Sequence, residues 1–208
     1  MKKELDYYIN QLINHSEDAV AIFDFDYTLT TNLSESSIGV FTKYLPQEYK
    51  KRKEVVDKIS EKHNNRFLLK IIWKYKLKFL SKFYNENILN KIDIKNDFIL
   101  NDFTIKILKK CCENNIHTII YSSGLKSVIE KVLSYYKINF INLEIIANNI
   151  DFDHKLNRGI ITPKNKRMKL QRNKYVILFG DKKEDLKIVK KSVKILINNN
   201  KYKILDSW

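Results

Sequence analysis

The sequence predicts an α/β protein with a Rossmann-like parallel sheet and a small helical segment inserted after the first strand. Three observations carry this. Short, nearly unbroken apolar runs recur at AVAIFD (19–24), HTIIYS (117–122) and YVILFGD (175–181), as expected of strands buried on both faces. Between the later runs lie stretches with apolar residues at helical spacing, and strand–helix alternation implies a parallel sheet. From 33 to 97 the texture changes to helical-period apolar residues (Phe67, Leu68, Ile71, Ile72, Tyr75, Leu77, Phe79, Leu80) among many lysines, with no strand-like run.

Each element has its own signal. Leu5, Tyr8, Ile9, Leu12 and Ile13 place one apolar face on a helix over 3–14. Within the insertion, Pro46 marks a turn or a helix start. Asn101 or Asp102 can cap a helix running to about Asn114. Val128, Ile129, Val132 and Leu133 share a face of a helix over 125–136, and FINLEIIA (140–147) reads as a strand. Residues 148–163 read as an antiparallel excursion with Gly159 near a turn, followed by a short helix after Asn165. The chain then continues with a helix over 184–191 and SVKILIN (192–198) as the last strand. This divides the protein into an α/β core, 1–32 and 98–208, and a helical subdomain, 33–97.

Composition narrows the class. The chain has 208 residues, enough for one cored domain with an insertion. Four glycines and two prolines exclude collagen-like and linker-like chains. The adjacent Cys111 and Cys112 form neither a disulfide framework nor a zinc pattern, and they read as packing residues. No apolar run reaches the roughly 18 residues of a membrane span, and the N-terminal stretch does not read as a secretory leader. The expectation is a soluble, cytoplasmic protein with no membrane partner. The formal net charge of +15 raises the question of nucleic acid. Lys, Asn and Ile are abundant throughout while Ala, Gly and Arg are scarce, so the charge reads as coding bias and nucleic acid as an unlikely partner.

In such a sheet, ligands bind beyond the carboxyl ends of the strands. After the first strand comes Asp24-Phe25-Asp26-Tyr27-Thr28-Leu29-Thr30, after the second Ser122-Ser123-Gly124, and after the third Gly180-Asp181-Lys182-Lys183-Glu184-Asp185. Pro163-Lys164-Asn165-Lys166 precedes the third. Carboxylates, a hydroxyl pair beside a glycine, and a lysine thus converge on one edge.

In that order, these motifs resemble the four motifs of the haloacid dehalogenase (HAD) superfamily, and Asp26 two residues after Asp24 favours its phosphatases. Asn148-Asn149-Ile150-Asp151-Phe152-Asp153, then Gly159-Ile160-Ile161 and Asn165-Lys166, are similar to the cytosolic pyrimidine 5′-nucleotidase (cytosolic 5′-nucleotidase III) family. The resemblance implies a HAD-like core in which 33–97 is a cap. It implies a Mg²⁺-dependent phosphomonoester hydrolase acting on a small phosphorylated substrate, with a nucleoside 5′-monophosphate as first expectation. A phosphoserine-phosphatase-like or sugar-phosphate phosphatase is the alternative. A non-catalytic basic binding protein with a relic site is another.

The implied roles follow the chemistry. Asp24 attacks phosphorus and becomes an aspartyl-phosphate. Asp26 protonates the leaving oxygen and later deprotonates water. Asp24, the Asp26 carbonyl and Asp181 hold Mg²⁺, with Asp185 behind them. Ser122 donates to phosphate, while the Ser123 and Gly124 amides face it from the start of the next helix. Lys166 pairs with nucleophile and phosphate; the Asn-Lys match favours it over Lys164. Lys182 departs from the small residue usual after the motif aspartate. Glu54 is a candidate base contact by analogy, and Trp73 and Tyr75 are candidate cap-pocket residues. Asp151 and Asp153 read as hairpin residues, and their family-like placement leaves a structural role near the pocket open. His15, His63, His117 and His154 have no metal-ligand spacing. Oligomeric state is left open.

Overall fold

The computed structural model describes residues 2–62, 65–138, 141–157, 159–163, 166–168, 170, 175–198 and 201–206. Strand β1 (Ala19–Phe23) is buried along its whole length, because it lies inside the sheet between two parallel partners. Those are β2 (His117–Leu125) and β4 (Tyr175–Gly180). The six strands run in the order β3-β2-β1-β4-β5-β6, with β3 at Leu143–Asn148, β5 at Val193–Asn198 and β6 at Lys201–Asp206. Strands β1 to β5 are parallel and β6 joins β5 antiparallel. The 192–198 strand is therefore not the last. The alternation Lys201-Tyr202-Lys203-Ile204 forms one more, with Tyr202 and Ile204 packed against the core.

One face of the sheet carries helices α1 (Lys2–Asn14), α7 (Asp102–Glu113) and α8 (Lys126–Tyr135). Leu5, Ile9 and Leu12 of α1 meet Ile105, Leu108 and Cys111 of α7 in the main core. Asn101 caps α7, accepting from the Phe103 and Thr104 amides.

Among the described residues, no α-helix covers the other face. Val20, Ile22, Ile119, Val176 and Leu178 lie under Ile161, Met168, Leu186 and Ile188. Among the described residues, neither of the two helices expected here is found. Over 184–191 there is only a 3₁₀ turn, Asp185–Lys187. Leu186 and Ile188 both turn inward, a two-residue spacing that a helix would put on different faces. Residues 166–168 and 170 are not helical either; the Met168 amide donates to the Ile188 carbonyl. Lys164, Asn165, Lys169 and residues 171–174 lie outside the described residues. Among the described residues, the 148–163 excursion carries one antiparallel bridge, Ile150 with Leu156, with a turn at His154 (φ 63°) and a bend at Gly159.

Residues 37–97 supply α2 (Ser37–Lys43), α3 (Gln47–Lys62), α4 (Arg66–Ser81), α5 (Glu86–Lys91) and α6 (Ile94–Asp97). Helix α3 follows directly on Pro46 and packs on α4, with Tyr49 stacked on Phe79 at 4.8 Å. Helix α2 lies on β2 and α8. Where the chain leaves and re-enters the core, Ser34 Oγ donates to the Ile99 carbonyl and accepts from its amide. Among the described residues, no helix is long and apolar enough to cross a membrane.

Candidate active site

Asp24 is the first residue beyond β1, and its amide still donates to the Phe179 carbonyl of β4. The chain then coils around the Phe25 carbonyl, which accepts from the Thr28, Leu29 and Thr30 amides. Tyr27 takes φ 63° in this coil, and its amide donates to Thr30 Oγ1. The coil sends Phe25 into the core while Asp24 and Asp26 both face one cavity.

That cavity holds about 350 Å³. Its floor is Asp24, Asp26, Ser123, Lys166, Asp181 and Asp185. Lys166 is only 4% exposed, and its ammonium lies 2.7 Å from Asp24 Oδ1 and 2.7 Å from Asp185 Oδ1. Asp185 Oδ2 accepts from the Lys182 amide. Gly180 makes this return possible: a Cβ there would lie 2.6 Å from the Asp185 Cβ.

The charges do not balance. Burial, with Asp185 adding to it, holds the Asp24 carboxyl up at about 7 against the pull of Lys166. Burial likewise raises Asp181 to about 6, and it raises Asp26 against the lowering effect of Ser37. Burial alone would lower Lys166, but Asp24 and Asp185 more than offset it and it stays firmly charged. Carboxylate oxygens of Asp24, Asp181 and Asp185 lie within 4.8 Å of one another. Hard oxygen donors with surplus negative charge suit a small divalent cation such as Mg²⁺.

The second motif differs from expectation. Strand β2 runs on through Ser122, Ser123 and Gly124, and α8 begins only at Lys126. The Gly124 amide is occupied by Ser122 Oγ at 3.0 Å. Ser123 reaches the cavity, whereas Ser122 is buried beneath it and Gly124 is not in its lining. Asn148 fixes this region: Nδ2 donates to the Ser123 and Ile161 carbonyls, and Oδ1 accepts from the Ile161 amide. It thereby ties the second motif to the segment leading to Lys166. The Asn148-to-Asp153 pattern flagged this stretch but not this role.

The opposite wall comes from the inserted helices. Ser36, Ile38, Asp57, Trp73 and Lys76 line it, with Tyr27 beside them. Lys76, itself buried, bonds Asp57 at 2.6 Å and lies 4.6 Å from the centre of the Trp73 ring. The Trp73 indole N–H is buried with no partner among the described residues. Sequence reading pointed to Trp73 but missed Asp57 and Lys76, which lie on different helices. Glu54 is exposed and outside the cavity, as is Tyr75. Lys182 sits at the rim, 3.7 Å from Asp181 Oδ2 and 5.7 Å from the centre of the Tyr27 ring. It adds a positive charge to the mouth rather than blocking it.

Asp151 and Asp153 serve the hairpin, bonding the Lys155 amide and ammonium respectively. His154 Nδ1 meets the Ser81 carbonyl at 2.5 Å, His15 stacks on Tyr175 and His117 pairs with Glu144. His63 lies outside the described residues.

A structure of cytosolic 5′-nucleotidase IIIB bound to cytidine is similar over 92% of this chain and 78% of that one, with a TM-score of 0.71 and 17% identity. A HAD-family hydrolase from Salmonella enterica serovar Typhi is similar over 82% and 59%, with a TM-score of 0.53 and 14% identity. At these identities the likeness is one of fold. No curated protein matches the chain. The family model for haloacid dehalogenase-like hydrolases matches residues 21–190, from within β1 to beyond Asp185. The chain belongs to the haloacid dehalogenase-like hydrolase family.

Proposed function

We propose that the protein is a Mg²⁺-dependent phosphomonoester hydrolase that forms an aspartyl-phosphate on Asp24, with a nucleoside 5′-monophosphate as substrate. The observation that carries this is the buried Asp24–Lys166–Asp185 chain with Asp181 at its side, facing a cavity that Asp26 also enters. An Asp24 oxygen attacks phosphorus as the ester P–O bond breaks, and Asp26 gives its proton to the leaving oxygen. Asp26 then takes a proton from the water that attacks the aspartyl-phosphate and releases phosphate and Asp24. Lys166 keeps its charge between nucleophile and phosphate, and Asp185 holds Lys166 in place. Ser123 offers a phosphate contact at the floor, with Ser122 and Gly124 setting its position. The Asp24 and Asp181 carboxylates and the Asp26 carbonyl would hold Mg²⁺, with Asp185 behind them. The ion's chemistry is to neutralise charge on the phosphoryl group.

Residues 33–97 would act as the cap on a core of 1–32 and 98–208, since α3 and α4 supply the wall facing the floor. Trp73 offers a flat apolar surface and an N–H, and Asp57 and Lys76 offer an acceptor and a donor. This set suits a base or another polar leaving group, and the fold's likeness to a nucleotidase bound to cytidine supports the nucleoside reading.

The test is phosphate release from nucleoside monophosphates, sugar phosphates and phosphoserine, with and without Mg²⁺. Nucleoside monophosphates are expected to rank first. Asp24→Asn is expected to lower turnover by roughly 10³-fold or more on every ester. Turnover by Asp24→Asn at the parent rate would refute the mechanism. A phosphoserine or sugar-phosphate preference would refute the substrate assignment alone.

A further inference from the structure

Ser37, the first residue of α2, is fully buried. Its amide donates to Asp26 Oδ1 at 2.7 Å, and its hydroxyl donates to Asp26 Oδ2 at 3.1 Å. Both oxygens of one carboxylate are thus held by a single residue eleven positions on. The end of β2 makes room for this grip. A Cβ on Gly124 would lie 1.9 Å from Ser37 Oγ, so only a residue without a side chain fits beside the hydroxyl. The coil after β1, the start of α2 and the end of β2 therefore meet at this one atom.

We propose that Ser37 is the positioning residue for the acid–base carboxyl, holding Asp26 aimed into the cavity through both halves of turnover. The proposal rests on the phosphatase reading above. The two donors differ in kind. The amide can only donate, so it fixes Oδ1. The hydroxyl, free to rotate about its C–O bond, donates to one lone pair of Oδ2 and leaves the other for the proton that Asp26 passes on. Asp26 must pass through both states, losing a proton to the leaving oxygen and regaining one from water. Ser37 also belongs to the inserted helices, so the grip joins the proton donor to the chain segment that builds the cavity wall. The Ser36-Ser37 pair after Leu33-Ser34-Glu35 carries no sequence signal for this role, because the contact depends on how α2 docks.

The test compares kcat/KM for cytidine 5′-monophosphate and p-nitrophenyl phosphate in Mg²⁺. The nucleoside alkoxide needs a proton to leave, whereas p-nitrophenolate leaves without one. Ser37→Ala keeps the amide bond and removes the hydroxyl. It is expected to lose roughly 10- to 100-fold on the nucleotide and no more than about threefold on the aryl ester. Ser37→Cys, nearly the same size and a weak hydrogen-bonding group, is expected to fall between parent and Ser37→Ala, and it guards against a folding defect. Asp26→Asn is the reference and is expected to discriminate more strongly in the same sense. Equal losses on both esters in the two Ser37 variants, or no loss, overturn the proposal. If Asp26→Asn discriminates and the Ser37 variants do not, the phosphatase reading stands and only the role of Ser37 falls. If the parent cleaves neither ester, or Asp26→Asn does not discriminate, the reading beneath the proposal fails and the proposal falls with it.

Discussion

Asp24, Lys166, Asp181 and Asp185 enter the cavity from the ends of β1 and β4 and the segment between β3 and β4, whereas Asp57, Trp73 and Lys76 enter from α3 and α4. Both sets contain a buried lysine bonded to an aspartate, at 2.7 Å on the floor and 2.6 Å on the wall, but the surroundings differ. On the floor, carboxylates outnumber the lysine and burial lifts Asp24 and Asp181. On the wall, burial works to raise Asp57, but Lys76 and Lys53 outweigh it and Asp57 stays below the ordinary carboxylate range. The surplus negative charge of the floor suits a cation, whereas the wall, where Asp57 meets both Lys76 and Lys53, offers hydrogen-bonding groups that can read a leaving group. The floor should therefore matter to every substrate and the wall to the choice among them.

The largest expected effect is on the floor. Lys166→Met should lower kcat by roughly 10²- to 10³-fold on all esters alike. It should also cost about 3–5 kcal/mol in denaturant unfolding, because it leaves Asp24 and Asp185 buried without their cation. A loss confined to one substrate class would erase the contrast between the regions. On the wall, the joint replacement Asp57→Leu with Lys76→Met should shift the ratio of kcat/KM between nucleotide and p-nitrophenyl phosphate by about tenfold, with little change on the aryl ester. Replacing both avoids stranding the buried Lys76 or its aspartate, and Lys53, the second partner of Asp57, is partly exposed. A uniform loss would make the wall part of the chemistry.

Metal linkage gives a smaller effect with a definite sign. The folded pKa of Asp24 (about 7) and of Asp181 (about 6) lie above the ordinary 3.8. The folded state thus binds more protons than the unfolded one across that interval, and these groups subtract stability as pH rises from about 4 toward 7. Mg²⁺ competes with those protons, so the rise in melting temperature on adding Mg²⁺ should grow between about pH 5 and 7. A rise independent of pH would place the ion elsewhere. The smallest effect is at Glu54, exposed on α3 and outside the cavity. Glu54→Ala should change stability by less than about 0.5 kcal/mol and leave substrate ranking as it is.

The floor was legible because its signals are local. An acidic or hydroxyl residue directly after an apolar strand run is a statement about one strand end, and three such ends meet wherever parallel strands are adjacent. Lys166 was legible only through its Asn-Lys pattern. The wall was not legible, since the Asp57–Lys76 pair spans nineteen positions and exists only once α3 packs on α4. Glu54, one turn before Asp57, was the nearest guess. The Asn148 latch was hidden for the same reason, as its partners are backbone groups at Ser123 and Ile161. The missed strand β6 had a signal in the alternation of Lys201 to Ile204. The wrongly expected helix at 184–191 gave itself away through Leu186 and Ile188, whose spacing suits a wrapped loop. Two of the four glycines, Gly124 and Gly180, proved to be required by contacts with Ser37 and Asp185, while Gly159 stands in open space.

The most direct measurement is to quench the Mg²⁺-loaded protein with acid during turnover of a nucleoside monophosphate and to map the phosphorylated peptide by mass spectrometry. The account predicts one acid-stable, hydroxylamine-labile phosphoryl group on Asp24, absent from Asp24→Asn. Steady turnover with no phosphoryl group on Asp24, or with one on another residue, would contradict it.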